Sequence, residues 1–205
     1  MQINFQITGI PELKKKLESL TGSQIQSAIS MAINKTAAKG LAEITRAITQ
    51  RYEIKGNEVR NSMSLRSSKP GTLEAEISIF GSTKKRGRSL NMIHFVEKKV
   101  TLAEGRKRAK NGTLNQLRFK VIKGAGLKTV TGDAALNNGA FIGNKGRTVF
   151  QRVSKNRLAI KPVQVIGVGQ MFNFKPLNAR VKKKIKDEFV VEVNRAVNGK
   201  LKGYL

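Results

Sequence analysis

The sequence predicts an α+β fold in which a long N-terminal helix and an amphipathic C-terminal helix pack on a small, mostly antiparallel sheet with long basic loops. Apolar residues recur every three or four positions over Gln24–Gln50 and every four positions over Asn178–Asn198. That spacing is typical of helices with one buried face. Between them, several short stretches alternate apolar and polar residues as half-buried strands do. Helices and strands segregated in this way indicate an α+β domain.

The long helix over Gln24–Gln50 is the element around which the rest is expected to pack. Its apolar stripe comprises Ile25, Ala28, Ile29, Ala32, Ile33, Ala37, Leu41, Ile44 and Ile48. Ser23 is predicted to cap the first turn, because its hydroxyl can accept a hydrogen bond from an unpaired amide. A helix of this length extends roughly 40 Å, about the width of a small domain.

Shorter elements are predicted on both sides of this helix. Alternation at Ile3, Phe5 and Ile7 indicates a strand, and Pro11 suits the first position of a short helix. After the long helix, residues 55–62 are predicted to form a third helix, with Val59 and Met63 as buried contacts.

The middle of the chain is predicted to be rich in strands. Alternation predicts strands at 72–79 and 117–121, residues 90–96 form an apolar segment, and residues 158–165 are extended. Residues 140–142 and 148–153 flank the tetrapeptide Gly-Asn-Lys-Gly, which predicts a hairpin. The C-terminal helix then buries Val181, Ile185, Phe189, Val193 and Val197. One domain over residues 1–205 is expected, with 82–116 as a basic loop or hairpin arm.

Charge is the most unusual property of the composition. The chain has 40 Lys and Arg against 13 Asp and Glu, a net charge of +27. Residues 81–205 hold 29 of the basic and 6 of the acidic side chains. Such a field attracts nucleic acid, an anionic membrane or an acidic protein surface. Without cysteine there are no disulfides or thiolate ligands. Neither a secretory signal nor a membrane-length apolar run is recognised, so folding in a cytoplasm and no membrane contact are expected.

Two basic clusters are candidates for contact with DNA or with an acidic partner. They comprise Lys84, Lys85, Arg86, Arg88, Arg106, Lys107, Arg108 and Lys110. Such side chains neutralise phosphates without reading bases. A solvated surface, or one that meets an acidic partner, explains the same composition equally well. Both interpretations remain open at this point.

Catalytic and metal chemistry are not predicted. His94 is the only histidine, whereas a zinc site needs three or four ligands and serine-hydrolase chemistry needs a nucleophile elbow. His94 is therefore expected to be an ordinary strand residue, and the pair Asp187-Glu188 to form salt bridges with nearby lysines. No phosphate-loop motif occurs. We expect that the protein is not an enzyme and that it binds no cofactor, metal or small-molecule substrate.

Three phenylalanines have two possible roles. Phe119, Phe141 and Phe150 could stack on bases, as in proteins that bind single strands. Because all three lie in alternating strands, packing in the core is the favoured interpretation.

Several segments together, in order and spacing, carry a resemblance to a known family. They are Met31–Ala37, Arg51–Lys55, Val59–Arg60, Leu90–Phe95, Gly139–Ile142, Val149–Arg152 and Arg157–Ile160. They resemble the phage minor tail protein Z family, the tail-completion or neck proteins of long-tailed phages. The family usually has an Arg-Leu-Pro-Ile run where this chain has Ala159, and the stretch 97–116 is long and basic for the family.

The resemblance implies a virion structural protein that acts at the head-proximal end of the tail, in the neck, after assembly in the bacterial host cytoplasm. It implies a homo-oligomer, a hexameric ring around the DNA path, that contacts a tail terminator and a head-completion or connector protein. From the ring and the charge together we hypothesise that part of the basic surface of residues 81–128 makes sequence-independent contacts with genomic dsDNA. The family-motif residues expected in the core and interface are Phe141, Phe150, Arg152, Arg157 and Ile160. A basic, sequence-independent nucleic-acid-binding protein of ribosomal or nucleoid-associated type is the alternative; it explains the charge but not the ordered motifs.

Overall fold

The structure is a computed structural model that describes residues 21–80, 89–97, 117–129, 140–154, 156 and 158–203. The strand and helix predicted before residue 21 lie outside the described residues.

The described residues contain four α-helices and nine short strands. The helices are α1 (Gly22–Arg51), α2 (Gly56–Asn61), α3 (Val168–Phe172) and α4 (Lys175–Leu201). The strands are β1 (Met63–Arg66), β2 (Glu76–Ile79), β3 (Ser89–Asn91), β4 (Arg118–Phe119), β5 (Lys128–Thr129), β6 (Phe141–Gly143), β7 (Thr148–Arg152), β8 (Ile160–Pro162) and β9 (Gln164–Ile166). The 3-10 turns Met92–His94 and Asn144–Gly146 follow β3 and β6.

Within the described part of the chain, the strand pairings are all antiparallel and form four small sheets. Three sheets are pairs, β1 with β2, β3 with β9 and β4 with β5, and the fourth has the order β6-β7-β8. Two long helices with small antiparallel sheets confirm the predicted α+β class. The predicted hairpin is also confirmed, as β6, the turn and β7.

Helices α1 and α4 pack against each other along their lengths in opposite directions. Ala28 and Ala32 near the start of α1 contact Val193 and Val197 near the end of α4. Farther along, Ile44 and Ile48 of α1 lie in one buried cluster with the first half of α4. The apolar spacing that predicted each helix is therefore the stripe through which the two helices pack.

Gly40 allows α1 and α4 to approach closely. A Cβ atom built at Gly40 would lie 2.9 Å from Ile185 Cδ1 and 3.3 Å from Ile77 Cδ1. A glycine in mid-helix lowers helix propensity by about 1 kcal/mol relative to alanine. Here the missing side chain leaves space for two isoleucines from α4 and β2.

Besides the cluster of Ala28, Ala32, Val193, Ala196 and Val197 between the two helices, the described core has a main cluster and a smaller one beneath the three-stranded sheet. The main cluster joins α1 and α4 to β2, β3 and α3, with Phe95 and Phe172 among its fully buried side chains. The smaller one contains Met92, Ile93, Leu117, Ala140 and Val149. Val59 and Met63 are buried as predicted.

The structure corrects several predicted boundaries. Thr21, not Ser23, is the N-cap of α1, and its backbone N–H donates to Gln24 Oε1 at 3.0 Å. Residues 72–75 do not extend β2, because its pairing partner β1 ends where Arg66 meets Glu76. Strand β1 and helix α3 were not predicted, whereas β8 and most of β9 lie in the stretch 158–165 that was predicted to be extended. In the stretch 82–116, residues 89–97 belong to the core rather than to an arm, since Leu90 and Phe95 are each 2% exposed.

None of the helices within the described ranges is both long enough and apolar enough to cross a membrane.

Candidate interaction surfaces

Nine of the predicted site residues lie outside the described part of the chain. They are Lys84, Lys85, Arg86, Arg88, Arg106, Lys107, Arg108, Lys110 and Arg157. Their contact with DNA or an acidic partner stays a prediction. The structure describes the other four, Phe141, Phe150, Arg152 and Ile160, and places them on one sheet.

The sheet β6-β7-β8 has an outer face with a row of apolar rings. Phe141 pairs with Phe150, which pairs in turn with Pro162, so the three residues form a line across the strands. The two phenylalanine rings are 6.0 Å apart between centroids, tilted by 31°, a distance typical of aromatic pairs. Gly143 makes room for the Phe150 ring, since a Cβ there would lie 3.0 Å from Phe150 Cδ2.

Phe141, Phe150 and Ile160 were predicted to build the core beneath a subunit interface. The core part of this prediction is wrong, because the three residues lie on the less buried face of the sheet. Val149 is fully buried on the opposite face of the sheet, whereas Phe141 and Phe150 are half-buried and Ile160 is 37% exposed. Because side chains alternate between the faces of a strand, the residues between the predicted ones point inwards. Phe119, in contrast, packs against both core clusters.

The apolar surface continues beyond the strands to the end of the β7-β8 hairpin. Val153 is 52% exposed and Leu158 is 86% exposed, and the Val153 N–H donates to the carbonyl of Ala159 at 2.9 Å. The Arg152 guanidinium lies 5.6 Å from the centre of the Phe141 ring. We call Phe141, Phe150, Ile160, Pro162 and Leu158 the outer sheet face; Val153 alternates with Arg152 and so belongs to the side of Val149. Grouped exposed apolar side chains of this kind favour a protein partner.

Asn91 holds the outer sheet face in place from below. Its Oδ1 accepts hydrogen bonds from the Val149 N–H at 2.8 Å and the Ile93 N–H at 3.0 Å. Its Nδ2 donates to the Val149 carbonyl at 3.2 Å. The Val149 carbonyl also accepts from the Val163 N–H at 2.9 Å, so the side-chain amide adds to the strand bonds of Val149 and fixes β7 to β3.

Asn34 makes an equivalent contact from α1. Its Nδ2 donates to the Ser68 carbonyl at 3.0 Å, and its Oδ1 accepts from the Ser68 N–H at 2.7 Å. Ser68 is 5% exposed, and a buried backbone amide needs such partners. Asn34 and Asn91 both lie in segments that carry the family resemblance, but the sequence had indicated no role for either.

A stripe of lysines on α4 forms a basic surface that the prediction had assigned only to loops. Lys175, Lys182 and Lys186 are separated by seven and four residues, which places them on one side of the helix. These three and Lys183 are exposed. Helix α4 carries eight basic and three acidic residues. The lysine run visible in the sequence was the available signal for this surface.

Ion pairs join α1 to α4 on another side of the same helix. Lys39 Nζ lies 2.7 Å from both Glu188 Oε2 and Glu192 Oε1. Lys184 binds Glu188 at 3.0 Å, and Arg195 binds Glu192 at 2.6 Å. The hydrogen bond from Lys39, with a second from Lys184, lowers the pKa of Glu188 to about 2. The hydrogen bonds that Lys39 donates to Glu188 and Glu192 raise the pKa of Lys39.

The predicted salt bridge of Glu188 with a nearby lysine is confirmed through Lys184, and Lys39 of the other helix adds a second bond. His94 lies in a 3-10 turn rather than a strand, with Nδ1 3.6 Å from Glu58 Oε2. Within the described ranges, no three His, Asp or Glu side chains are grouped as a metal site would require.

The comparisons with known proteins agree with the resemblance in the sequence. A family model described as prophage minor tail protein Z (GPZ) matches residues 7–205, nearly the whole chain. Neither a curated protein nor a solved structure matches. The family is one of phage tail structural proteins, components of the virion. The chain therefore belongs to the prophage minor tail protein Z family.

Proposed function

We propose that this protein completes the phage tail at its head-proximal end, in the neck that joins tail to head. It does so as a homo-oligomer, a ring of six copies around the DNA path. The observation that carries the proposal is the outer sheet face. Most of this surface lies in the family motif, and its exposed apolar side chains, Ile160 and Leu158, favour contact with another protein chain.

The outer sheet face suits a contact between subunits. Leu158 projects from the end of the hairpin at 86% exposure, next to the partly open row of Phe141, Phe150 and Pro162. A protruding leucine can insert into an apolar site on the next copy, as the buried anchors of protein interfaces do. In a ring, each subunit would present this face to a different surface of its neighbour.

The charge indicates what such a ring would meet. Six copies would carry roughly +160, since each has a net charge of +27. A ring as tall as α4, with 27 residues, measures about 40 Å and encloses roughly 24 phosphate charges of double-stranded DNA. Enclosed DNA alone therefore neutralises a small part of the charge. Counterions and acidic surfaces of the tail terminator and of the head-completion or connector protein must neutralise the rest.

Contacts with the DNA path are assigned to the loop residues of the prediction and to the lysine stripe on α4. They would be independent of sequence and weakened by salt. Replacing Arg106, Lys107, Arg108 and Lys110 with Gln should reduce DNA retention at low salt. Retention equal to that of the wild type would remove these residues from the DNA contact.

Electron microscopy of particles made without the protein tests the proposed position. We expect tails of normal length that fail to join full heads. Normally joined, infectious particles would contradict a role in the virion. Absent or truncated tails would place the protein at an earlier step of tail assembly and would contradict a role in completion.

A further inference from the structure

A cleft opens where the end of α1, the turn after β4 and the start of α4 meet. Its volume is about 420 Å³. Three cationic side chains line it, those of Arg51, Lys123 and Arg180, and its apolar surface includes Ile122, Phe174 and Leu177. Among the described residues that line the cleft there is no Asp or Glu. It therefore combines concentrated positive charge with an apolar surface.

Arg51 is held in the cleft by stacking rather than by a carboxylate. Its guanidinium carbon lies 3.7 Å from the centre of the Phe174 ring and 5.7 Å from that of Tyr52. Its Nε is buried and has no hydrogen-bond partner. The stacking fixes the position of the guanidinium charge at the wall of the cleft.

The other two cations are fixed beside Arg51. The backbone N–H of Lys123 donates to the Arg51 carbonyl at 2.8 Å, which places the exposed lysine next to the arginine. Arg180 Nη2 donates to Glu43 Oε1 at 3.0 Å, which orients the guanidinium while its other N–H groups stay available to a ligand. Phe174 is the N-cap of α4 and makes no side-chain capping bond. Because Phe174 also lines the cleft, the positive end of the α4 dipole adds to the positive charge there.

We propose that this cleft binds a carboxylate on an acidic, partly apolar segment of a partner protein. Charge complementarity with Arg51, Lys123 and Arg180 selects the carboxylate, and the surface of Ile122, Phe174 and Leu177 selects apolar groups beside it. The phosphodiester backbone of DNA has no such apolar groups. A second copy of this chain is a poor source, because it has 13 acidic residues against 40 basic ones. This assignment does not depend on where in the virion the protein acts.

Fluorescence anisotropy with a labelled eight-residue peptide of alternating Glu and Leu tests the assignment on the full chain at 150 mM salt. The double variant Lys123→Gln with Arg180→Gln should weaken binding by about tenfold or more, since each charge-assisted bond contributes on that scale. The control, Lys182→Gln with Lys183→Gln, removes the same charge from the exposed lysines on α4 and should change affinity less than about twofold. Thermal unfolding checks that both variants fold, and Lys123→Gln alone, at an exposed position, is the substitute if the double variant does not.

Three results would overturn the assignment. The first is that the peptide does not bind, or that the two double variants lose equal peptide affinity. Equal losses would indicate that the peptide responds only to the overall positive charge of the chain. The second is equal affinity for an alternating Glu-Ser peptide of the same charge, because the apolar surface would then contribute nothing. The third concerns a 20-base-pair DNA duplex. If Lys123→Gln with Arg180→Gln weakens binding of the duplex more than binding of the Glu-Leu peptide, the cleft is a phosphate site.

Discussion

Replacing Asn91 tests whether its side-chain amide positions the outer sheet face. The variant Asn91→Ala removes three hydrogen bonds, two accepted from the backbone N–H groups of Val149 and Ile93 and one donated to the Val149 carbonyl. Val149 is fully buried, so water cannot easily replace these bonds. At about 0.5–1.5 kcal/mol for each bond, the free energy of unfolding should fall by roughly 2–4 kcal/mol.

Urea unfolding of the purified protein, followed by circular dichroism, measures this change. In a chain of this size a loss of about 3 kcal/mol lowers the unfolding temperature by roughly 6–12 °C. Asn91→Asp keeps both acceptor bonds but turns a carboxylate oxygen towards the Val149 carbonyl, so it should also lower the free energy of unfolding. Asn57→Ala, at an exposed position in α2, is the matched control and should stay within about 0.5 kcal/mol of the wild type. An Asn91→Ala protein as stable as the wild type would refute the role assigned to the amide.

Three further predictions concern the helix pair and the hairpin. Gly40→Leu should lower the free energy of unfolding by about 1–3 kcal/mol, because the new side chain has no space beside Ile185; an unchanged urea midpoint would contradict this. Glu188, with its pKa lowered from 4.5 to about 2 by the hydrogen bond from Lys39, stabilises the fold above pH 4.5 and loses that contribution as the pH falls towards 2. The gap in unfolding temperature between the wild type and Glu188→Gln should therefore close over that range, and a constant gap would exclude this linkage. Leu158→Ser should leave the circular dichroism spectrum of the folded chain unchanged, because the leucine is 86% exposed, while size-exclusion chromatography with light scattering shows fewer oligomers; an unaltered oligomer would remove Leu158 from the interface.

The long helices and the hairpin could be predicted because their signals are local. The stripe from Ala28 to Ile48 specifies one helical face whatever packs on it, and the Gly-Asn-Lys-Gly turn specifies the β6-β7 pairing. The class of the fold follows from these elements.

The buried face of the three-stranded sheet could not be predicted in the same way. Strand β7 is apolar on both faces, with Val149 on one and Phe150 on the other, and β6 has Ile142 and Phe141. Alternation shows that two faces exist, but only the tertiary packing decides which one is buried.

The asparagine contacts are missed for a related reason. Asn34 binds a residue 34 positions away and Asn91 one 58 positions away, and no local pattern distinguishes them from asparagines at the surface. Short strands such as β1, with four residues, are stabilised mainly by their pairing partner and give little periodic signal.

Cryo-electron microscopy of the intact virion, averaged over the junction of head and tail, is the most direct test of the proposed role. We expect a ring of copies at the head-proximal end of the tail, each recognisable by the antiparallel pair of α1 and α4, with neighbouring subunits meeting at the outer sheet face. The same helix pair found only at the distal tip of the tail, or in no part of the particle, would contradict it.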